Sequence, residues 1–170
     1  MAHNVFIKRQ VAAFNVDSLN RSAIVAADID NGTPIQLTTR VGLSLWNGQA
    51  FASTHPAEVW VAAAPEVNYA TKTKSESSDP RDFYNVSGQA FDVICLAEHD
   101  IVEMTGEGQT TLFPATSDYA YVTPNGWTGT GSAPTSGIYL QKIGTDLLHV
   151  GDGAIAPVGV TTYIYEVKKA

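Results

Sequence analysis

Apolar and polar positions alternate along much of this 170-residue chain, in runs that are short and separated by turn-forming residues. Residues 35–41 place Ile35, Leu37, Thr39 and Val41 on one side and Gln36, Thr38 and Arg40 on the other, which predicts a half-buried strand. A short apolar run at 23–27 precedes it, ended by the turn sequence Asp28-Ile29-Asp30-Asn31-Gly32. Residues 58–63, centred on Val59, Trp60 and Val61 and stopped by Pro65, are nearly all apolar, as a strand covered on both faces is. Over 91–96, Phe91, Val93 and Cys95 alternate with Asp92, Ile94 and Leu96. Residues 100–105 follow through a tight link at Glu98-His99, as the expected hairpin partner. Residues 119–122 and 138–142 are strand-like. The aromatic and β-branched run at 161–167 predicts a terminal strand that completes a sheet.

No segment of twelve residues keeps a 3.6-residue apolar period. The expected class is therefore all-β, with about eight short strands in a single-domain β-sandwich or partly open β-barrel. Two stretches break the pattern. Residues 68–90 turn polar, with Phe83 and Tyr84 as anchors and one helical turn expected around 79–83. Residues 123–137 gather Gly126, Gly129, Gly131, Pro134 and Gly137 around Trp127, which predicts a long hairpin loop with an exposed indole. Residues 1–22 are an N-terminal arm or an edge strand, ahead of a β-rich domain over 23–170.

Composition adds a constraint on surfaces. Only 16% of residues are charged while 44% are apolar, so Thr, Ser, Gly, Asn and Gln carry much of the exterior. Neutral polar groups suit a surface that contacts protein, because charges are costly to dehydrate. The net charge of −7 disfavours a main role in binding nucleic acid. Eight acids (Glu76, Asp79, Asp82, Asp92, Glu98, Asp100, Glu103 and Glu107) face Arg81 alone in the middle of the chain, whereas Lys8, Arg9 and Arg21 make the start slightly basic. Such an arm steers toward acidic neighbours, including a second copy of the chain; a solvated acidic face beside a frayed terminus is the plainer alternative.

Candidate chemistry is sparse. The single cysteine, Cys95, excludes an internal disulfide and falls mid-strand, where a thiol is a small hydrophobe. His3, His55, His99 and His149 lack metal-ligand spacing; His99-Asp100 and His149 with Asp152 are common pairs. Asp28 to Gly32 and Gly151-Asp152-Gly153 start like calcium loops but lack the pattern that completes one. Phosphate-binding glycine loops and nucleophile elbows are absent, so no enzyme, cofactor or metal is expected. Of Trp46, Trp60 and Trp127, only Trp127 is a candidate exposed aromatic, for a protein contact or, with Tyr121, for a sugar. Residues 1–14 lack the apolar stretch of a signal peptide, and no run of about 18 apolar residues occurs, so a soluble cytoplasmic product without membrane contact is expected.

The order of elements is informative. Ala27-Asp28-Ile29-Asp30-Asn31-Gly32-Thr33-Pro34-Ile35-Gln36-Leu37, then Glu58-Val59-Trp60-Val61 running to Val67-Asn68-Tyr69, then Asp82-Phe83-Tyr84-Asn85-Val86-Ser87-Gly88-Gln89-Ala90, resembles small virion proteins encoded among the head genes of tailed bacteriophages. Residues 96–102, Tyr121-Val122-Thr123-Pro124, Tyr139-Leu140-Gln141-Lys142 and the closing run follow in the same order. The resemblance covers about residues 23–167 and carries no catalytic signature. It implies a capsid decoration or cement protein that binds the major capsid protein on the virion surface, as a trimer or other small homo-oligomer. A tail, connector or fibre component and a carbohydrate-binding β-module are the alternatives. In this reading Val5, Phe6, Ile7, Lys8, Arg9 and Trp127 are the candidate contact residues. Val5, Phe6 and Ile7 would add as a strand to a neighbouring sheet edge, with Lys8 and Arg9 meeting acidic groups, or form the domain's own first strand.

Overall fold

A computed structural model describes residues 3–65, 80–105, 117–150 and 158–170. The first part of the long polar excursion, with Glu76 and Asp79, and also Glu107 and the Gly151-Asp152-Gly153 turn, lie outside the described residues. The strands are β1 (Phe6–Gln10), β2 (Asn20–Ile24), β3 (Pro34–Arg40), β4 (Leu45–Gln49), β5 (Trp60–Ala62), β6 (Ala90–Cys95), β7 (Ile101–Met104), β8 (Tyr119–Thr123), β9 (Gly126–Thr130), β10 (Ile138–Val150) and β11 (Val158–Lys169). Single 3-10 turns occupy Ala12–Phe14, Asp17–Leu19 and Pro80–Asp82, the last where a helical turn is expected. The all-β class holds.

The strands make two assemblies. A five-stranded barrel in the order β2-β4-β3-β5-β6 is closed, because β2 pairs in parallel with β4 and antiparallel with β6. Beside it lies a six-stranded antiparallel sheet, β1-β7-β11-β10-β8-β9. The architecture thus joins a closed barrel to an open sheet, where the alternation predicted a sandwich or a partly open barrel.

Residues buried on both faces of β5 and β6 join the two assemblies. Trp60 and Ala62 point into the barrel with Ala23, Val25, Ile35, Phe91, Val93 and Cys95. Val59, Val61, Ala63, Ile94 and Leu96 point the other way, into a core completed by Val102, Met104, Ala120, Val122, Trp127, Leu140, Tyr165 and Val167 of the sheet. One strand pair therefore supplies walls to two cores, which is why residues 58–63 show no polar face.

Three local expectations change. Residues 100–105 form β7, which pairs with β1 and β11 rather than with β6. His99 adopts a left-handed φ of 74°, and the buried Asp100 carboxylate accepts the Ala12 and Ala97 N–H groups, each at 2.8 Å. The chain is thereby turned out of the barrel and into the second sheet. The closing run extends to β11 and lies inside the sheet, between β7 and β10. The Gly-rich stretch is itself a hairpin: Thr123 pairs with Gly126 across Pro124-Asn125, and Thr123 Oγ1 accepts the Asn125 N–H and donates to the Gly126 carbonyl.

The turn at Asn31-Gly32 is buried where the two assemblies meet. Asn31 Nδ2 donates to the Ala64 carbonyl at 2.9 Å, and its Oδ1 accepts the Ala64 N–H at 3.2 Å and Asn85 Nδ2 at 3.1 Å. Asn4 Nδ2 donates to the Asn31 carbonyl at 2.7 Å, and Thr105 Oγ1 links Asn4 Oδ1 to the Val5 N–H. Gly32 has φ of +80°, and a Cβ there would lie 2.8 Å from Asn4 Nδ2 and 3.0 Å from Met104 Sδ. An Asn31→Ala variant strands the Ala64 and Asn85 groups; stability is expected to fall by about 2–4 kcal/mol, read as a lower midpoint in urea denaturation.

Candidate functional site

β1 settles the position of the N-terminal contact candidates. Val5 and Phe6 are buried, Ile7 and Lys8 half-buried, and Phe6 and Ile7 pair with Met104 and Glu103 of β7. Within residues 1–22, expected as an arm or edge strand, β1 is an edge strand of the chain's own sheet, while the later residues form two 3-10 turns and begin β2 of the barrel. The cations of β1 are engaged within the chain. Lys8 Nζ donates to the Ala63 carbonyl at 3.5 Å and lies 5.9 Å from the Phe14 ring centroid. Arg9 bonds Glu103 through Nε and Asp146 through a terminal nitrogen. These carboxylates raise the Arg9 pKa, holding the guanidinium charged.

This arrangement also changes the acidic middle of the chain. Glu103 is only 2% exposed and accepts Thr162 Oγ1 as well as Arg9. Asp100 is buried on two backbone N–H groups. Asp82, Asp92 and Glu98 are exposed. Part of the acidic run is thus internal structure, since a buried carboxylate persists where donors replace its water.

Trp127 is a correction. It is 1% exposed, faces the shared core beside Val122, and donates its indole N–H to the Gly32 carbonyl at 2.9 Å. The glycines around it permit β9 rather than a mobile loop, and β8 and Gly32 cover the ring. Tyr121 cannot share a sugar platform with it. Tyr121 pairs with Thr128 while Val122 pairs with Trp127, so Tyr121 and Trp127 occupy opposite faces of the sheet. The Tyr121 ring stacks on His55 at 4.5 Å and 9°.

Other residues carry the exposed apolar surface. At the β3–β4 hairpin Leu43 is 91% exposed and Val41 52%. The tip is held: the Val41 and Gly42 N–H groups both donate to the Leu45 carbonyl, and the Arg40 guanidinium bonds the carbonyls of Gly42 and Leu43. A second projection is the β10–β11 ribbon. β8 pairs with β10 only at Tyr139, Leu140 and Gln141, and β7 pairs with β11 only from Tyr163 to Glu166. From Asp146↔Thr162 to Val150↔Val158 the two strands have only each other among the described strands. Leu147 on it is exposed, and so is Ile143 at the register shift that precedes it in β10. Phe14 at the end of the first 3-10 turn and Val16 just before the second add apolar surface. Leu43 lies in the run Val41-Gly42-Leu43-Ser44, where a glycine between apolar residues signals a hairpin tip. The ribbon's signal is the alternation of Ile143, Thr145, Leu147 and His149.

The titratable groups form structural pairs. His3 Nδ1 lies 2.7 Å from Asp30 Oδ1, and His99 Nδ1 lies 3.0 Å from Glu166 Oε1, which also meets Lys168 Nζ at 2.6 Å. Hydrogen bonds from His99 and then Lys168 hold the Glu166 carboxyl below its ordinary value. Burial, with smaller contributions from Glu58 and Asp100, pushes the Cys95 thiol up to about 12. That disfavours the thiolate a nucleophile requires. Among the described residues no group of three or more His, Cys, Asp or Glu gathers to hold a metal, and no helix is long and apolar enough to cross a membrane.

No protein-family model, curated protein or solved structure matches this chain.

Cys95 should resist iodoacetamide at pH 8 in the folded protein and react once the chain is unfolded in urea, as followed by intact mass. Glu166 provides a pH test. Its folded-state pKa is depressed, so its contribution is present above the ordinary value of 4.5 and is lost as pH falls through the lower folded value. Glu166→Gln should make the acid limb of the stability–pH profile shallower, read from urea midpoints taken below pH 5.

Proposed function

We propose that the chain is a non-enzymatic structural protein of a tailed-phage particle, one that binds the outer surface of the capsid and reinforces it. The observation that carries this reading is an apolar side chain displayed on fixed backbone: Leu43, almost fully exposed on a tip whose carbonyls Arg40 clamps. Burying such a side chain against a partner contributes on the order of 1.5–3 kcal/mol. A preordered tip also loses little entropy on binding. The β10–β11 ribbon supports the reading from a second position, since a two-stranded ribbon is marginally stable until something packs on it. In a homo-oligomer, linked copies of a modest contact engage neighbouring equivalent sites together and hold far more tightly than one contact does.

The partners in this reading are the major capsid protein and other copies of the chain, in a trimer or another small homo-oligomer. The element order that resembles head-gene virion proteins and the low charged fraction point the same way. Particles assembled without this chain should take up added protein, co-sediment with it and rupture at a higher temperature. Leu43→Asp and Leu147→Asp should each weaken uptake about tenfold, equivalent to about 1.4 kcal/mol, without lowering the unfolding temperature of the isolated protein. Uptake by tails or connectors, with none by heads, would move the chain elsewhere in the particle.

A further inference from the structure

A cleft of about 490 Å³ opens at one end of the β3–β4 hairpin, between the segment that follows β2, the start of β3, the end of β4 and the β8–β9 turn. The clamped tip that displays Leu43 is the other end of the same hairpin. We infer that the tip of one copy of the chain seats in the cleft of a second copy, in a head-to-tail contact that builds the homo-oligomer.

The two surfaces match in polarity. Val25, Ile29, Pro34 and Ile35 give the cleft apolar walls, and Val41 and Leu43 give the tip two exposed aliphatic side chains. The volume lies within the range of about 300–1,000 Å³ that pockets for bound molecules occupy, which is ample for two such side chains.

Charge decides which surfaces meet. Asp28 and Asp30 are the charged residues of the lining, which holds neither Lys nor Arg. Both oxygens of Asp30 are engaged, with His3 Nδ1 and the Asn4 N–H. Asp28 is exposed and accepts the Ser87 N–H on Oδ1 at 2.8 Å, which leaves Oδ2 for a cation. On the tip, Arg40 is the sole Asp, Glu, Lys or Arg between Asn31 and Ala57. Its Nε and Nη2 hold the Gly42 and Leu43 carbonyls, which leaves Nη1 for a carboxylate. A cation beside two aliphatic side chains thus meets a carboxylate beside apolar walls. Tip against tip would bring two guanidinium groups together, and cleft against cleft would bring carboxylates together, so the favoured contact joins unlike surfaces.

One protomer cannot make this contact with itself. The seven residues of β3, Pro34–Arg40, lie between the cleft and the tip, a span of about 20 Å at about 3.3 Å per residue. The tip is also held in place by its own hydrogen bonds. Each copy therefore offers one tip and one cleft, and a contact of this kind closes into a ring when the rotation from copy to copy allows. The inference rests on the proposed reading in taking the tip as a contact surface, and it names the occupant of that contact. Leu43→Asp then weakens uptake by separating linked copies.

Sedimentation velocity of the full chain over a concentration series tests this. The unaltered chain should sediment as an oligomer. Leu43→Asp, which spoils the tip, and Ala27→Trp, which fills the cleft from an exposed position in its lining, should each sediment as monomers. Mixed in equal amounts, the two variants should form a dimer and nothing larger, because one intact tip then meets one intact cleft. Asp28→Asn, whose side chain still accepts the Ser87 N–H, should raise the dissociation constant about tenfold, and it carries the cleft arm of the test if circular dichroism shows Ala27→Trp misfolded. Glu98→Gln, an exposed acid outside both surfaces, should leave the constant unchanged. A monomeric chain at every concentration would overturn the inference, as would an oligomer that persists in folded Leu43→Asp or Ala27→Trp, or a mixture of the two that stays monomeric. A monomer that still binds heads sinks the head-to-tail contact alone, whereas an oligomer that heads do not take up sinks the capsid reading alone.

Discussion

The burial of the Asn31-Gly32 turn between the barrel and the sheet is the constraint on which the rest of the structure depends. A turn carries backbone groups that its own geometry leaves unpaired, and burying them costs several kcal/mol unless each finds a partner. Here the partners come from distant parts of the chain: Asn4 from the N-terminal segment, Ala64 after β5, Asn85 before β6 and the Trp127 indole from β9. Asn side chains suit this task because each offers both donors and acceptors. Gly32 is required by its left-handed φ and by the closeness of Asn4 and Met104.

With that junction in place, the two-faced strands β5 and β6 can serve both cores. The N-terminal segment becomes an edge strand because the Val5 N–H and the Asn4 side chain are tied to Thr105, at the end of β7. Arg9 then reaches Glu103 and Asp146, joining β1 to β7 and to the base of the ribbon. A basic start and an acidic middle are thus reconciled within one chain, so the charge asymmetry has a structural role before any partner is considered. Among the described residues, the clamped hairpin tip and the ribbon display apolar side chains on ordered backbone.

Much of the fold was legible in the pattern of side chains. Alternation located β3, β6 and β11, the unbroken apolar run at 58–63 marked β5 as covered on both sides, and the strand-like 119–122 and 138–142 fell in β8 and β10. Local pattern reports whether a residue is covered, but it does not report by what. Residues 100–105 therefore looked like the partner of β6, although the Asp100 carboxylate and the left-handed His99 send them into the other sheet. Trp127 looked exposed because its neighbours are glycines, although those glycines form an edge strand that places the indole in the core. Of the contact candidates, only Arg9 is largely at the surface, and it is already bonded. Leu43 was marked only by the glycine beside it, because exposure at a hairpin tip depends on where the two strands end.

The amino-acid sequence by itself determined the all-β class, the positions of most strands, the turn at Asp28 to Gly32 and the inert character of Cys95. These follow from side-chain period, turn propensity and the environment of a single residue, all of which act over a few positions. Tertiary structure alone decided that the barrel closes, that β1 belongs to the chain's own sheet, and that Trp127 is interior while Leu43 is displayed. Those outcomes depend on hydrogen bonds between residues about 30 to 100 positions apart, as in Asn4 with Asn31 and Trp127 with Gly32. No local pattern records which partner a buried polar group will find.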